Sequence, residues 1–205
     1  MYWHVLFVCV VGALTPAYGS AGSSATAAEE MALDDAVQAW RRLGVEDYAF
    51  DFQNLCNCAA GATARMRVIV TGGKIASVTY AEPVFELHQD KSHRDIFHKV
   101  AVADMGSTVP AEFSENLGSI SELLEEMKRQ IYRPLARYEA EFDAEIGVPC
   151  RIFYDFSGAL ADDELEILIS NFELNKKATI PLGCAGEGNE LSGGVIQQSA
   201  RQPTW

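Results

Sequence analysis

A tight Gly72-Gly73 turn flanked by alternating apolar residues constrains this chain more than any other feature. In the stretch 48–80, Tyr48, Phe50 and Phe52 occupy every second position. Cys56 and Cys58 follow, and RMRVIVTGGKIASVTY then runs through the glycine pair. Side chains on a strand point alternately to opposite faces, so this pattern gives a sheet with one buried and one wet face, and the glycine pair closes a hairpin. Strands are expected near 47–55, 65–71 and 74–81. Such a unit is a scaffold and carries no catalytic signature.

Helices flank it. Thr26 and Glu29 have capping-box spacing, and Leu33, Ala36, Val37, Trp40 and Leu43 recur on one face. Arg41-Arg42 lie near the end and Gly44 stands where a C-terminal cap belongs, so a helix is expected over 29–43 with Trp40 as its core anchor. A second helix starts at Ser119, carries Ile120, Leu123, Leu124, Met127 and Ile131 as its apolar stripe, pairs Glu125 with Arg129 and stops by Pro134. Three further strands are expected at 136–143, 149–156 and 163–172, with Gly147-Val148-Pro149 turning the first into the second. The order helix, three strands, helix, three strands suggests an internal α-β-β-β duplication, echoed in Tyr48 and Phe52 against Tyr138 and Phe142. The fold class is therefore α+β, an antiparallel sheet of about six strands covered by two helices, in one domain over 29–173.

Residues 82–118 break the pattern and read as an insertion over the domain surface. Ser92 and Asp95 cap an expected short helix carrying Ile96, Phe97, Val100 and Ala101. Beyond 173 the chain is Gly-rich and polar, and 174–205 is expected to be a disordered tail pinned at Cys184.

The N-terminus points out of the cytoplasm. VLFVCVVGAL at 5–14 is an apolar run too short to span a bilayer, and small residues follow it, so 1–19 reads as a signal peptide cleaved after Gly19. Ala25-Thr26-Ala27 is a second candidate site, and 20–28 is a flexible lead-in. Val8 before Cys9 argues against lipid attachment, and no membrane span is expected once the leader is gone. Removing it leaves Cys56, Cys58, Cys150 and Cys184, an even number with three connectivities in an oxidising compartment. A Cys150–Cys184 bridge would stabilise by roughly 4 kcal/mol in the loop-entropy account, a Cys56–Cys58 ring by only roughly 1.6 kcal/mol. The net charge of −13, from 29 acidic against 16 basic residues, offers no basic stripe for phosphate, so nucleic acid and anionic membrane surfaces are poor partners.

Trp40 with Gly44, Tyr48-x-Phe50, Cys56-x-Cys58, RVIVTGGKIASVTY, YEAEFDAEIGVPCRIFYD and Asp162-Asp163-Glu164 together resemble a family of small exported cell-envelope proteins, mostly uncharacterised and often lipid-anchored. The resemblance covers about 38–81 and 119–173. The chain departs from the pattern in the 82–118 insertion and in lacking a lipid-attachment cysteine. The resemblance implies the fold and export, and transfers no catalytic role because that family has no established activity. More distantly, the helix-plus-strand units are similar to β-lactamase-inhibitor-like and propeptide-inhibitor-like modules, which bind other proteins, an analogy of fold alone.

Two clusters invite a metal reading. His88, His93 and His98 recur at five-residue intervals, but five residues bring all three to one face of neither a helix nor a strand, and a surface loop is the expected setting. Asp155, Asp162, Asp163, Glu164 and Glu166 gather near the last strand turn without the ligand spacing or glycine of a calcium-binding hand. Cys56 and Cys58 could exchange disulfides, yet strand and loop residues rather than a helix start or cation surround them, so a structural bridge is expected. No G-x-S-x-G, H-E-x-x-H or phosphate loop is present. The sequence thus supports an exported, non-catalytic binding or envelope-associated module that needs no cofactor. Its expected partner is another extracellular or envelope protein, and 82–118 is the first place to seek its binding face. The alternative is a secreted thiol–disulfide or metal-dependent enzyme using Cys56 and Cys58 or the 88–98 segment.

Overall fold

A computed structural model describes residues 25–56, 59–89, 97–115, 117–133, 135–157, 164–174 and 178–184. In chain order the elements are α1 (Ala27–Leu43), β1 (Tyr48–Leu55), α2 (Ala60–Thr63), β2 (Met66–Thr71), β3 (Lys74–Tyr80), β4 (Val84–Gln89) and β5 (Phe97–Ala103). They continue with α3 (Ala111–Ser114), α4 (Ile120–Gln130), β6 (Arg137–Phe142), β7 (Pro149–Asp155), β8 (Glu164–Leu174) and β9 (Ala178–Ile180).

Both long helices begin in capping boxes. The Thr26 hydroxyl accepts from the Glu29 backbone N–H while Glu29 accepts from the Thr26 N–H, and Ser119 with Glu122 repeats the arrangement. Orphan donors of each first turn are thereby satisfied. Gly44 ends α1 in the left-handed region at φ 61°. Salt bridges tie the helices together: Lys128 lies 2.8 Å from Asp34 and Arg41 3.2 Å from Glu125. Arg129 pairs with Glu126 instead of the expected Glu125, which is engaged across the helix pair.

Seven strands form an antiparallel sheet ordered β3-β2-β1-β8-β7-β6, with β9 added on β8, and the α+β expectation holds. Leu33, Trp40, Leu124 and Met127 of the helices share one buried cluster with Tyr48, Phe50, Val68, Ile152 and Phe172 of the sheet. Trp40 anchors it, standing edge-on to Tyr48 at 5.1 Å and to Phe172 at 6.0 Å. Two polar contacts fix α4 within this apolar setting: Trp40 Nε1 donates to Ser121 Oγ at 2.9 Å, and the Tyr48 hydroxyl accepts from the Ile120 N–H at 2.9 Å. Burial, outweighing that hydrogen bond, raises the pKa of Tyr48 and keeps its phenol neutral.

Three expectations change. Residues 97–103 form β5, paired with β4, where a short helix was expected; Val100 and Val102 with Phe97 favour a strand once β4 offers a partner. Residues 178–184 continue the fold where a tail was expected, because β9 pairs with Phe172–Leu174 of β8, Ile180 and Leu182 pack on the core, and Cys150 is bonded to Cys184. The two α-β-β-β runs also fail to relate as copies. Strands β3-β2-β1 and β8-β7-β6 follow one another in the same lateral order, but β1 and β6 run in opposite directions. A rotation matching them would turn the sheet over and send α4 to the face opposite α1, whereas both helices pack in one cluster. The shared Tyr and Phe spacing therefore does not mark superposable copies.

Candidate functional site

The sheet face turned away from the helices is built of charge. Along β1 the even residues enter the core and leave Asp51 on the other face, where the register sets it opposite Arg67 of β2. Asp51 is only 7% exposed, and three groups hold it. Arg67 Nη1 donates to its Oδ1 at 3.0 Å, Asn171 Nδ2 donates to its Oδ2 at 2.8 Å, and Arg65 Nε lies 3.9 Å away. Buried carboxylates persist when they are paired and hydrogen-bonded in this way. Arg67 also donates to the Asn171 carbonyl at 2.8 Å and pairs with Glu173 at 2.5 Å, while Arg65 reaches Glu82 at 3.1 Å.

A β-bulge places Asn171 there. Ala49 pairs with Glu173 and Asp51 with Ser170, so one residue of β1 faces two of β8, and Asn171 takes φ 47°. Asparagine tolerates that left-handed conformation better than most residues. The extra residue changes the phase of β8: Ile167 and Ile169 enter the core at odd positions, and Phe172 enters it at an even one. A groove of about 400 Å³ opens beside this cluster, lined by Asp51, Arg67, Tyr80, Met105, Asn171 and Glu173 among others. Further along the face Arg151 joins Glu139 and Glu166, and Arg137 also pairs with Glu139, above the Phe153 ring. The Arg137 hydrogen bond leads in holding the Glu139 carboxyl below its ordinary range.

At the groove's edge the insertion rises as a separate two-stranded ribbon. Of the ten large apolar side chains that stand exposed among the described residues, five lie on its strands, Phe85, Leu87, Phe97, Val100 and Val102, and Met105 follows in the turn after β5. Leu87 faces Lys99 and Gln89 faces Phe97, so Phe85, Leu87 and Phe97 share one face of the ribbon. Its base is fixed by Val84, buried with Met66, Tyr80 and Val109.

The chain matches a family of unknown function, DUF6174, over residues 32–104 and 93–174, which together span α1 through β8. It belongs to that family. DUF6174 has no assigned function, and no curated protein and no solved structure was found to match the chain.

Of the residues singled out from sequence, Cys150 and Cys184 are bonded, with Cα atoms 6.2 Å apart. Cys56 is disulfide-bonded too, while Cys58 lies outside the described residues. The ribbon sets His88 directly opposite His98, a pairing hidden from a reading that treated each interval as one continuous helix or strand. His88 Nε2 lies 3.3 Å from Glu86, and His93 lies outside the described residues. Glu164 opens β8 opposite Asp155, and Asp162 and Asp163 lie outside the described residues. Among the described residues no three His, Cys, Asp or Glu side chains group as metal ligands. Asp51 and Asn171 were missed. A faint signal existed in the slip of the apolar phase from Leu165, Ile167 and Ile169 to Phe172 across Ser170-Asn171.

Proposed function

We propose that this protein is an exported, non-catalytic module that binds another extracellular or cell-envelope protein through the β4–β5 ribbon and the groove at its foot. The observation carrying this reading is the gathering of three exposed large apolar side chains, Phe85, Leu87 and Phe97, on one face of the ribbon. Apolar residues scattered singly are ordinary on a surface, whereas a grouped set beside a polar groove has the composition of a docking face. Export is supported by the leader-like apolar run and by the bonded Cys150 and Cys184, which persist in oxidising compartments. The charges lining the groove engage one another: Arg67 binds Asp51 and Glu173, which suits a rigid recognition surface better than a proton-transfer centre.

The test pairs processing with contact. A photo-crosslinking residue at position 87, and another at the still more exposed Tyr132 outside the ribbon, are introduced in the native host. The expected result is a processed chain beginning near Ser20, carrying oxidised cysteines and forming an adduct of defined mass from position 87 alone. An unprocessed chain, or no adduct from position 87, rejects the reading.

A further inference from the structure

We infer that the free edge of β4 pairs with β4 of a second copy of this chain, joining two ribbons into one four-stranded antiparallel sheet ordered β5-β4-β4-β5. This rests on the reading of the ribbon as a docking surface and names its occupant.

Among the described residues the ribbon is a sheet of two strands, β4 against β5, with neither in a second ladder. A two-stranded ribbon is marginal in water, and three or more strands are needed for independent stability. Natural edges are blocked by proline, by charged side chains, lysine above all, or by a bulge. Strand β5 carries Lys99 at its middle, the residue type that guards an edge. Strand β4, VFELHQ, has neither lysine nor proline, and its one irregularity, between Val84 and Phe85, lies at the ribbon's base. Among the described residues no strand pairs with β4 on the side away from β5.

Its sequence selects one register. Antiparallel self-pairing centred on Leu87 sets Glu86 opposite His88 of the partner subunit and, by the two-fold, His88 opposite Glu86 of the partner subunit. The same two side chains already lie together within the strand, His88 Nε2 standing 3.3 Å from Glu86 Oε2. The registers on either side are worse: one sets Glu86 against its own copy, the other His88 against its own copy. Leu87, 65% exposed in the single chain, meets its own copy at the centre, with Phe85 beside it. The contact is isologous and closes at two chains, whereas a β4–β5 pairing between copies is heterologous and leads to a ring or an open filament.

Sedimentation equilibrium on the full protein recovered from its host tests this. The wild type is expected to be a dimer. Glu86→Lys, which sets a lysine opposite His88 twice, should raise the dissociation constant at least about tenfold. Glu86→Lys combined with His88→Glu restores the complement and should return it to within about threefold of wild type. A monomeric wild type, a dimer insensitive to Glu86→Lys, or a double variant no better than the single overturns the inference. A monomer that still forms a crosslinked adduct with a different protein from position 87 overturns the inference and leaves the binding function standing. A monomer with no adduct overturns both.

Discussion

Gly147 sits where the β6–β7 turn presses on the backbone of α1. Its φ of 72° lies in the left-handed region, and a Cβ there would stand 2.1 Å from the Ala36 carbonyl oxygen. Backbone cannot rotate aside as a side chain can, so any larger residue must push α1 off the sheet. Gly147→Ala is expected to destabilise by about 3 kcal/mol or more, measured by chemical denaturation. A cost below about 1 kcal/mol would show that α1 gives way freely and that the close approach does not hold it. The same turn is held from inside by Asp143, whose Oδ1 accepts from the Glu145 and Ile146 N–H groups at 2.9 and 3.0 Å.

At the scale of the element, the bulge in β8 decides which residues reach each face. It carries Phe172 into contact with Trp40 and turns Asn171 toward Asp51. Asn171→Gly keeps the backbone conformation and loses the hydrogen bond, while Asn171→Ala loses the bond and also strains the left-handed residue. Alanine should therefore cost about 1 kcal/mol more than glycine, after allowing for glycine's looser unfolded chain. Equal costs would mean that the bond to Asp51, and not the backbone at Asn171, sets the bulge. The ribbon is the opposite kind of element, since its inner end is fixed by Val84 and its outer length presents Leu87 and Phe97 to solvent.

Across the whole molecule, the segment 178–184 closes the fold by three means at once: the β9 ladder, the Cys150–Cys184 bridge, and the Gly183 N–H donating to Asp143 Oδ2 at 2.6 Å. Burial works against the charge of Asp143, and the Gly183, Ile146 and Glu145 donors together more than offset it, so its pKa is lowered. A lowered folded value means the unfolded chain takes up the proton first. The stabilisation is then complete above the ordinary Asp value of about 3.9 and is lost as pH falls from there through the folded value. Stability of the wild type measured against pH should drop through that window. Asp143→Asn should be less stable at neutral pH and show a flatter acid limb. Identical acid limbs would rule out Asp143 as the group responsible.

Much of the framework was legible because it rests on local chemistry. The capping boxes at Thr26 and Ser119, the Gly44 cap, the Gly72-Gly73 hairpin and the alternation of Tyr48, Phe50 and Phe52 each depend on neighbours within a few residues. What stayed hidden depends on partners far along the chain. Asp51 meets Asn171 across 120 residues, and Glu125 prefers Arg41 of another helix to Arg129 on its own. Phe97 and Val100 suit either a helix or a strand until β4 supplies a ladder. The sequence by itself determined the types and buried faces of α1, α4, β1 and β2, since both follow from periodicity. Only the tertiary structure decided the strand order, the bulge that pairs Asp51 with Asn171 and the ribbon that holds Leu87 in solvent, because these follow from which distant backbones share hydrogen bonds.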